Sequence, residues 1–172
     1  MKRALLLLVL LPAAVLTTAA VGQELRVAGV DHVGMTVPDA QIAAEFFHDL
    51  IGTRIVSDMH PAPVSADWKK RFRWHASTRI KRLVMLQALD GSKIELFEYD
   101  APQGSRQQPH ADDVGASHIA LKAVDLRRSQ AVVRRLGLSV LNDPITLQDG
   151  TRWFYFLAPW GAPIELVFPA DR

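Results

Sequence analysis

Short runs of alternating side chains recur along this chain, and they share one design. In DHVGMTV (31–37), Val33, Met35 and Val37 fall on one face, and His32, Gly34 and Thr36 on the other. In SHIALKA (117–123), Ile119, Leu121 and Ala123 oppose His118, Ala120 and Lys122. KIELFEY (93–99) sets Ile94 and Leu96 against Glu95 and Phe97. PIELVFP (163–169) sets Ile164, Leu166 and Phe168 against Glu165 and Val167. Alternation of this kind predicts strands with two unlike faces. The aliphatic face is expected to pack under a helix. The other face carries one ligand-type residue among small or mixed neighbours.

Between these strands the period changes. Ile42, Phe46 and Leu50 in one segment, and Leu126, Val133 and Leu136 in another, follow a helical spacing. Asp39 and Asp125 stand near the two helix starts, and Gly52 and Gly137 near the two ends. A strand follows each helix, RIV (54–56) in the first case and LSVL (138–141) in the second. Each half then closes with a hairpin, turning at Asp90-Gly91 and around Pro159-Trp160-Gly161. The order β-α-β-β-β therefore occurs twice, over 27–100 and over 116–170. The polar segment 101–115, APQGSRQQPHADDVG, reads as the linker. The expected fold is α+β: two βαβββ modules forming an open, cupped mixed sheet.

The first 22 residues form a separate unit. Lys2 and Arg3 precede an apolar run from Ala4 to Leu16, and small residues follow, which is the layout of a secretory signal peptide. The run falls short of the ~20 residues of a membrane span. The domain is therefore expected to be exported, periplasmic or secreted, with no membrane contact once the signal is removed. Lys2 and Arg3 account for the whole formal charge of +2, so the remainder is formally neutral and gives no case for nucleic-acid binding. The absence of cysteine excludes both disulfides and a lipoprotein-type anchor.

A carboxylate inside an apolar strand is costly to bury without a partner. A lone strand histidine is usually a hydrogen-bonded structural group, and a lone buried glutamate usually pairs with an arginine. Recurrence of both at matching places in a repeated unit favours a shared partner instead. If the modules face each other, His32, Glu95, His118 and Glu165 converge, in a cup that is either closed within one chain or completed by a partner. Two imidazoles and two carboxylates suit one divalent metal: Zn, Ni, Co, Mn or Fe.

With these stretches in order, the chain resembles the vicinal oxygen chelate superfamily over about residues 28–169. That group includes glyoxalase I, methylmalonyl-CoA epimerase, extradiol dioxygenases and bleomycin-resistance proteins. DHVGMTV, KIELFEY, SHIALKAVDL and APWGAPIELVFP carry the resemblance. It implies that His32, Glu95, His118 and Glu165 are the metal ligands and that Glu165 or Glu95 is the catalytic base. It further implies a small-molecule substrate chelated through neighbouring oxygens, isomerase, epimerase or lyase chemistry, and a possible homodimer. Extradiol dioxygenases do not expect a glutamate ligand at position 95, and metal-free resistance proteins have usually lost the ligands. Those two activities, dioxygenase and non-catalytic binding module, are the alternatives. Export sits badly with a glutathione-thiol substrate.

One stretch stands outside the repeat. DWKKRFRWHASTRIKR (67–82) holds seven Lys/Arg with Trp68, Phe72 and Trp74. It reads either as a solvated strand-and-loop region whose aromatics pack back on the sheet or as an entrance loop that recruits an anionic or aromatic substrate. Single-stranded nucleic acid uses similar residues, but the neutral domain argues against it. Trp74, Arg79, Trp153 and Tyr155 are the candidate substrate contacts.

Overall fold

The structure is a computed structural model, and residues 27–170 are described. The signal peptide expected over 1–22 lies outside them. The element order is β1 (Val33–Val37), α1 (Ala40–Ile51), β2 (Arg54–Met59), α2 (Ala66–Arg71), β3 (Arg79–Gln87) and β4 (Lys93–Asp100) in the first half. The second half has β5 (Ile119–Lys122), α3 (Leu126–Arg135), β6 (Ile145–Thr146), β7 (Arg152–Leu157) and β8 (Pro163–Phe168). The two sheets are ordered β1-β4-β3-β2 and β5-β8-β7-β6, and each mixes one parallel pair with antiparallel ones. Neither closes into a barrel. This is the expected pair of βαβββ modules in an α+β fold.

The helices begin and end where the caps dictate. The Asp39 carboxylate accepts from the amides of Gln41 and Ile42 at 2.8 and 2.9 Å. The Asp125 carboxylate accepts from the Arg128 amide at 2.9 Å. Each satisfies donors that the first helical turn leaves unpaired. Gly52 ends α1 with φ 72°, a conformation that glycine adopts without a Cβ penalty.

Alternation places the faces as read. Ile94, Leu96, Ile164, Leu166 and Phe168 are buried in one continuous core that spans both halves. α1 contributes Ala40, Ala43, Ala44, Phe46 and Phe47 to it, whereas Ile42 faces out. The halves are joined by aromatic packing. Trp160, in the β7–β8 turn, stands edge-on to Phe46 at 5.3 Å and tilted to Phe47 at 6.0 Å.

Two local expectations are corrected. LSVL is not a regular strand. Val140 makes an isolated bridge to Phe156, and the ladder resumes only at β6. Asn142 and Pro144 interrupt it: the Asn142 side chain accepts from the Tyr155 amide at 2.9 Å, and proline cannot donate to a ladder. The basic aromatic stretch contains a helical turn, α2, capped by Ser65. Among the described residues, no helix is long and apolar enough to cross a membrane.

Candidate metal and catalytic site

Strand register explains how each His–Glu pair forms. β1 runs parallel to β4 with Gly34 opposite Glu95, and β5 runs parallel to β8 with Ala120 opposite Glu165. Each histidine lies two residues before that small residue, on the same face. His32 Nε2 consequently stands 3.1 Å from Glu95 Oε2, and His118 Nε2 stands 3.2 Å from Glu165 Oε2. The repeat in sequence is a repeat in chemistry. A Cβ on Gly34 would sit 3.4 Å from the Phe97 ring and 3.9 Å from Glu95 Oε2, so the small residue keeps the glutamate accessible.

The glutamate side chains are 16% and 17% exposed, and their histidines 36% and 44%. Among the described residues, neither glutamate is paired with an arginine. An imidazole nitrogen and a carboxylate oxygen this close need a cation between them, either a proton or a metal. Two ligands about 2.1 Å from one ion at a right angle lie about 3.0 Å apart, so each pair fits half of a coordination shell.

The four residues do not meet within one chain. Among the described residues no group of three or more His, Cys, Asp or Glu is arranged to hold a metal. Of the two arrangements left open by the sequence, a cup closed within one chain is not the one this fold produces. The chain instead presents two half-sets, one on the open face of each sheet.

The surroundings of the pairs differ. Asp31 accepts from His32 Nδ1 at 2.8 Å and is itself held by Lys93 Nζ, 2.9 Å from both carboxylate oxygens. The bond to Asp31 raises the His32 pKa, and the bonds from His32 and Lys93 lower that of Asp31. With the proton fixed on Nδ1, Nε2 is the nitrogen available to a metal. His118 instead receives the Tyr155 hydroxyl, 3.2 Å from its Nε2. Burial, then the charge of Glu165, hold the Tyr155 phenol above its ordinary value of 10.0, so it remains a proton donor at neutral pH. Asp31 and Lys93 escaped the sequence reading, although the Asp-His dipeptide was a signal for the first of them.

The candidate substrate contacts separate. Tyr155 lies at the His118–Glu165 pair, with Trp153 edge-on to it at 5.6 Å. Trp74 packs edge-on to Tyr99 at 5.2 Å, and Tyr99 stacks on Phe97, two residues along β4 from Glu95. Arg79 is engaged elsewhere, donating to Asp100 at 2.6 Å. Glu98 was not singled out, yet it is 5% exposed on the opposite face. It accepts from the Ala40 amide at the start of α1 and pairs with Lys81.

Residues 29–166 match the family model described as "Glyoxalase/Bleomycin resistance protein/Dioxygenase superfamily". A 2-epi-5-epi-valiolone epimerase from Actinomyces sp. is 37% identical over 143 residues, covering 80% of this chain and 78% of that protein. A glyoxalase family protein from Bacillus cereus superposes with a TM-score of 0.69 at 18% identity, over 87% of this chain and 99% of its own. The fosfomycin resistance protein FosX from Listeria monocytogenes, solved with Mn(II) and sulfate, gives a TM-score of 0.57 at 16% identity. That match spans 84% of this chain and 94% of FosX.

Proposed function

The chain belongs to the Glyoxalase/Bleomycin resistance protein/Dioxygenase superfamily, and on that premise we propose that it is an exported, divalent-metal-dependent epimerase or isomerase acting on a small oxygenated substrate. The observation that carries this reading is the pair of His–Glu contacts at 3.1 and 3.2 Å. The relative named as an epimerase supports the reaction class, and makes 2-epi-5-epi-valiolone the first substrate to try. Mn(II) in FosX supports a divalent ion in this fold.

His32, Glu95, His118 and Glu165 would hold the ion. When bound, it supplies Lewis-acid stabilisation of the oxygen charge that develops when a proton is lost beside a carbonyl. The chain supplies the proton transfers. One glutamate takes the proton from carbon, and a proton returned to the opposite face of that carbon inverts it. Glu165, beside the Tyr155 hydroxyl, is the favoured acceptor. Glu95, arriving from the other half-set, suits the return. The phenol donates to a developing negative oxygen.

The half-sets require a second chain. In a two-fold dimer, the open face of the first sheet in one protomer meets that of the second sheet in its partner. The symmetry then builds two identical four-donor sites. Two variants test this: His32→Ala/Glu95→Gln and His118→Ala/Glu165→Gln. Alone, each is expected to purify without metal. Refolded together as an equal mixture, they regain about a quarter of the wild-type metal content, because half the dimers carry one intact site. Sites formed within single chains would regain none, and that result overturns the assembly. Metal content unchanged in both variants overturns the ligand assignment itself. Mass measurement of the mature N-terminus tests export, with removal of about 22 residues expected.

A further inference from the structure

A cavity of about 710 Å³ lies between the halves, bounded by β1, the turn after α2, the linker and the start of β5. Its wall carries Arg73, His75, Arg106 and His118 but no aspartate or glutamate, in a protein with 18 of them. Neither arginine forms a salt bridge among the described residues. Fields from one sign of charge reinforce one another in a cleft, where low-dielectric walls focus them.

Two further features point to a ligand. Trp160 lines this wall, and its buried Nε1 has no hydrogen-bond partner among the described residues. Such a group carries its full desolvation cost until an acceptor meets it. Arg73 has φ 57°, and among the described residues it is the single non-glycine residue with positive φ. A side chain disfavours that conformation, and strain of this kind gathers at ligand sites. The turn is held by the Arg73 and Trp74 amides, which donate to the Lys70 and Lys69 carbonyls at 3.2 and 2.8 Å. It places Arg73 and Trp74 next to each other on the cavity wall.

We infer that this cavity binds the dianionic phosphate group of the substrate, between Arg73 and Arg106 and beside Trp160. Two guanidinium groups without a carboxylate partner match two negative charges better than one. Trp74 and Tyr99 border the same space and would take the substrate's carbon skeleton. The inference deepens the proposed function, and it rests on that reading for the bound anion being part of a substrate, which would then be a phosphorylated compound and not the uncharged 2-epi-5-epi-valiolone itself. The binding itself rests on the cavity alone.

The four indole N–H resonances of the full-length protein supply the test. Inorganic phosphate is titrated into metal-free protein at constant ionic strength, with acetate as the monoanionic control. Phosphate is expected to shift the Trp74 and Trp160 signals, with millimolar affinity and severalfold more tightly than acetate, while Trp68 and Trp153 stay in place. The Arg73→Gln/Arg106→Gln variant is expected to abolish the shifts. Arg73→Gly, which the backbone angle favours, should weaken them without strain. Movement of Trp153 alone, equal response to acetate, or shifts that survive in the double variant would overturn the inference. Indole shifts that persist in a protein whose metal assignment has failed would leave the cavity standing and remove only the proposed chemistry.

Discussion

Asp31 and His32 are adjacent in sequence and joined through their side chains: the Asp31 carboxylate accepts from His32 Nδ1 at 2.8 Å. That contact fixes which imidazole nitrogen faces Glu95. It also makes the first half-set more rigidly oriented than the second, where His118 has a tyrosine hydroxyl at the nitrogen that faces Glu165. Outer partners of this kind change metal affinity by about ten- to a hundredfold. Asp31→Ala is therefore expected to weaken divalent-ion binding by that order while leaving the fold intact. Calorimetric titration with Zn or Mn, alongside thermal denaturation, checks both halves of the statement.

Gly34 makes a steric prediction. A methyl group there meets the Phe97 ring at ordinary contact distance, and the equivalent residue opposite Glu165 is already alanine. Gly34→Ala should retain wild-type metal content. Gly34→Leu, whose larger side chain projects over Glu95, should lose most of it. Elemental analysis of the two purified variants decides.

Phe47 is fully buried where α1 meets Trp160. Truncating it removes core volume and the packing between the halves together. Phe47→Ala should cost about 3–5 kcal/mol of unfolding free energy. Ile42→Ala, on the exposed side of the same helix, should cost within about 0.5 kcal/mol. Urea denaturation of the pair measures the contrast.

Acid stability should depend on Asp58. Arg82 donates to it through Nε at 2.9 Å and Nη2 at 2.6 Å, and through Nη1 to Gln41 of α1 at 3.0 Å. The bonds from Arg82 hold the Asp58 pKa below its ordinary 3.8. A carboxyl whose folded pKa is depressed contributes stability that is fully present above the unfolded value. That contribution is lost as pH falls through the folded one. Asp58→Asn should thus be less stable than wild type at neutral pH, and the difference should shrink as the pH is taken below about 4. A constant difference down to pH 2 would count against the assignment.

Much of this architecture was legible because it rests on short-range rules. Alternation separated Ile94 and Leu96 from Glu95, and the register of parallel strands then brought each histidine to its own glutamate. Asp39 and Gly52 marked α1 because unpaired amides and a left-handed backbone select those residue types. The second half was harder to read. LSVL has strand character, but the side chain of Asn142 and the ring of Pro144 break the ladder just beyond it. Nothing local encodes how the modules sit relative to each other. That arrangement depends on Trp160 packing on Phe46 and Phe47, more than a hundred residues away, which is why four donors expected at one point stand as two and two. The cavity was equally hidden, because Arg73 and Arg106 come from a turn and a linker that no periodicity connects.

The division of donors has a thermodynamic consequence. In the proposed dimer, two ligands from one chain would grip a divalent cation weakly and four from both chains strongly, so ion capture and subunit pairing would draw on the same free energy. Solitary copies would neither scavenge ions nor turn over substrate. Scarcity of metal would loosen the pair, and dilution would release the ion. Reactivity would then be a collective property, present only where both the cation and enough protein are found together.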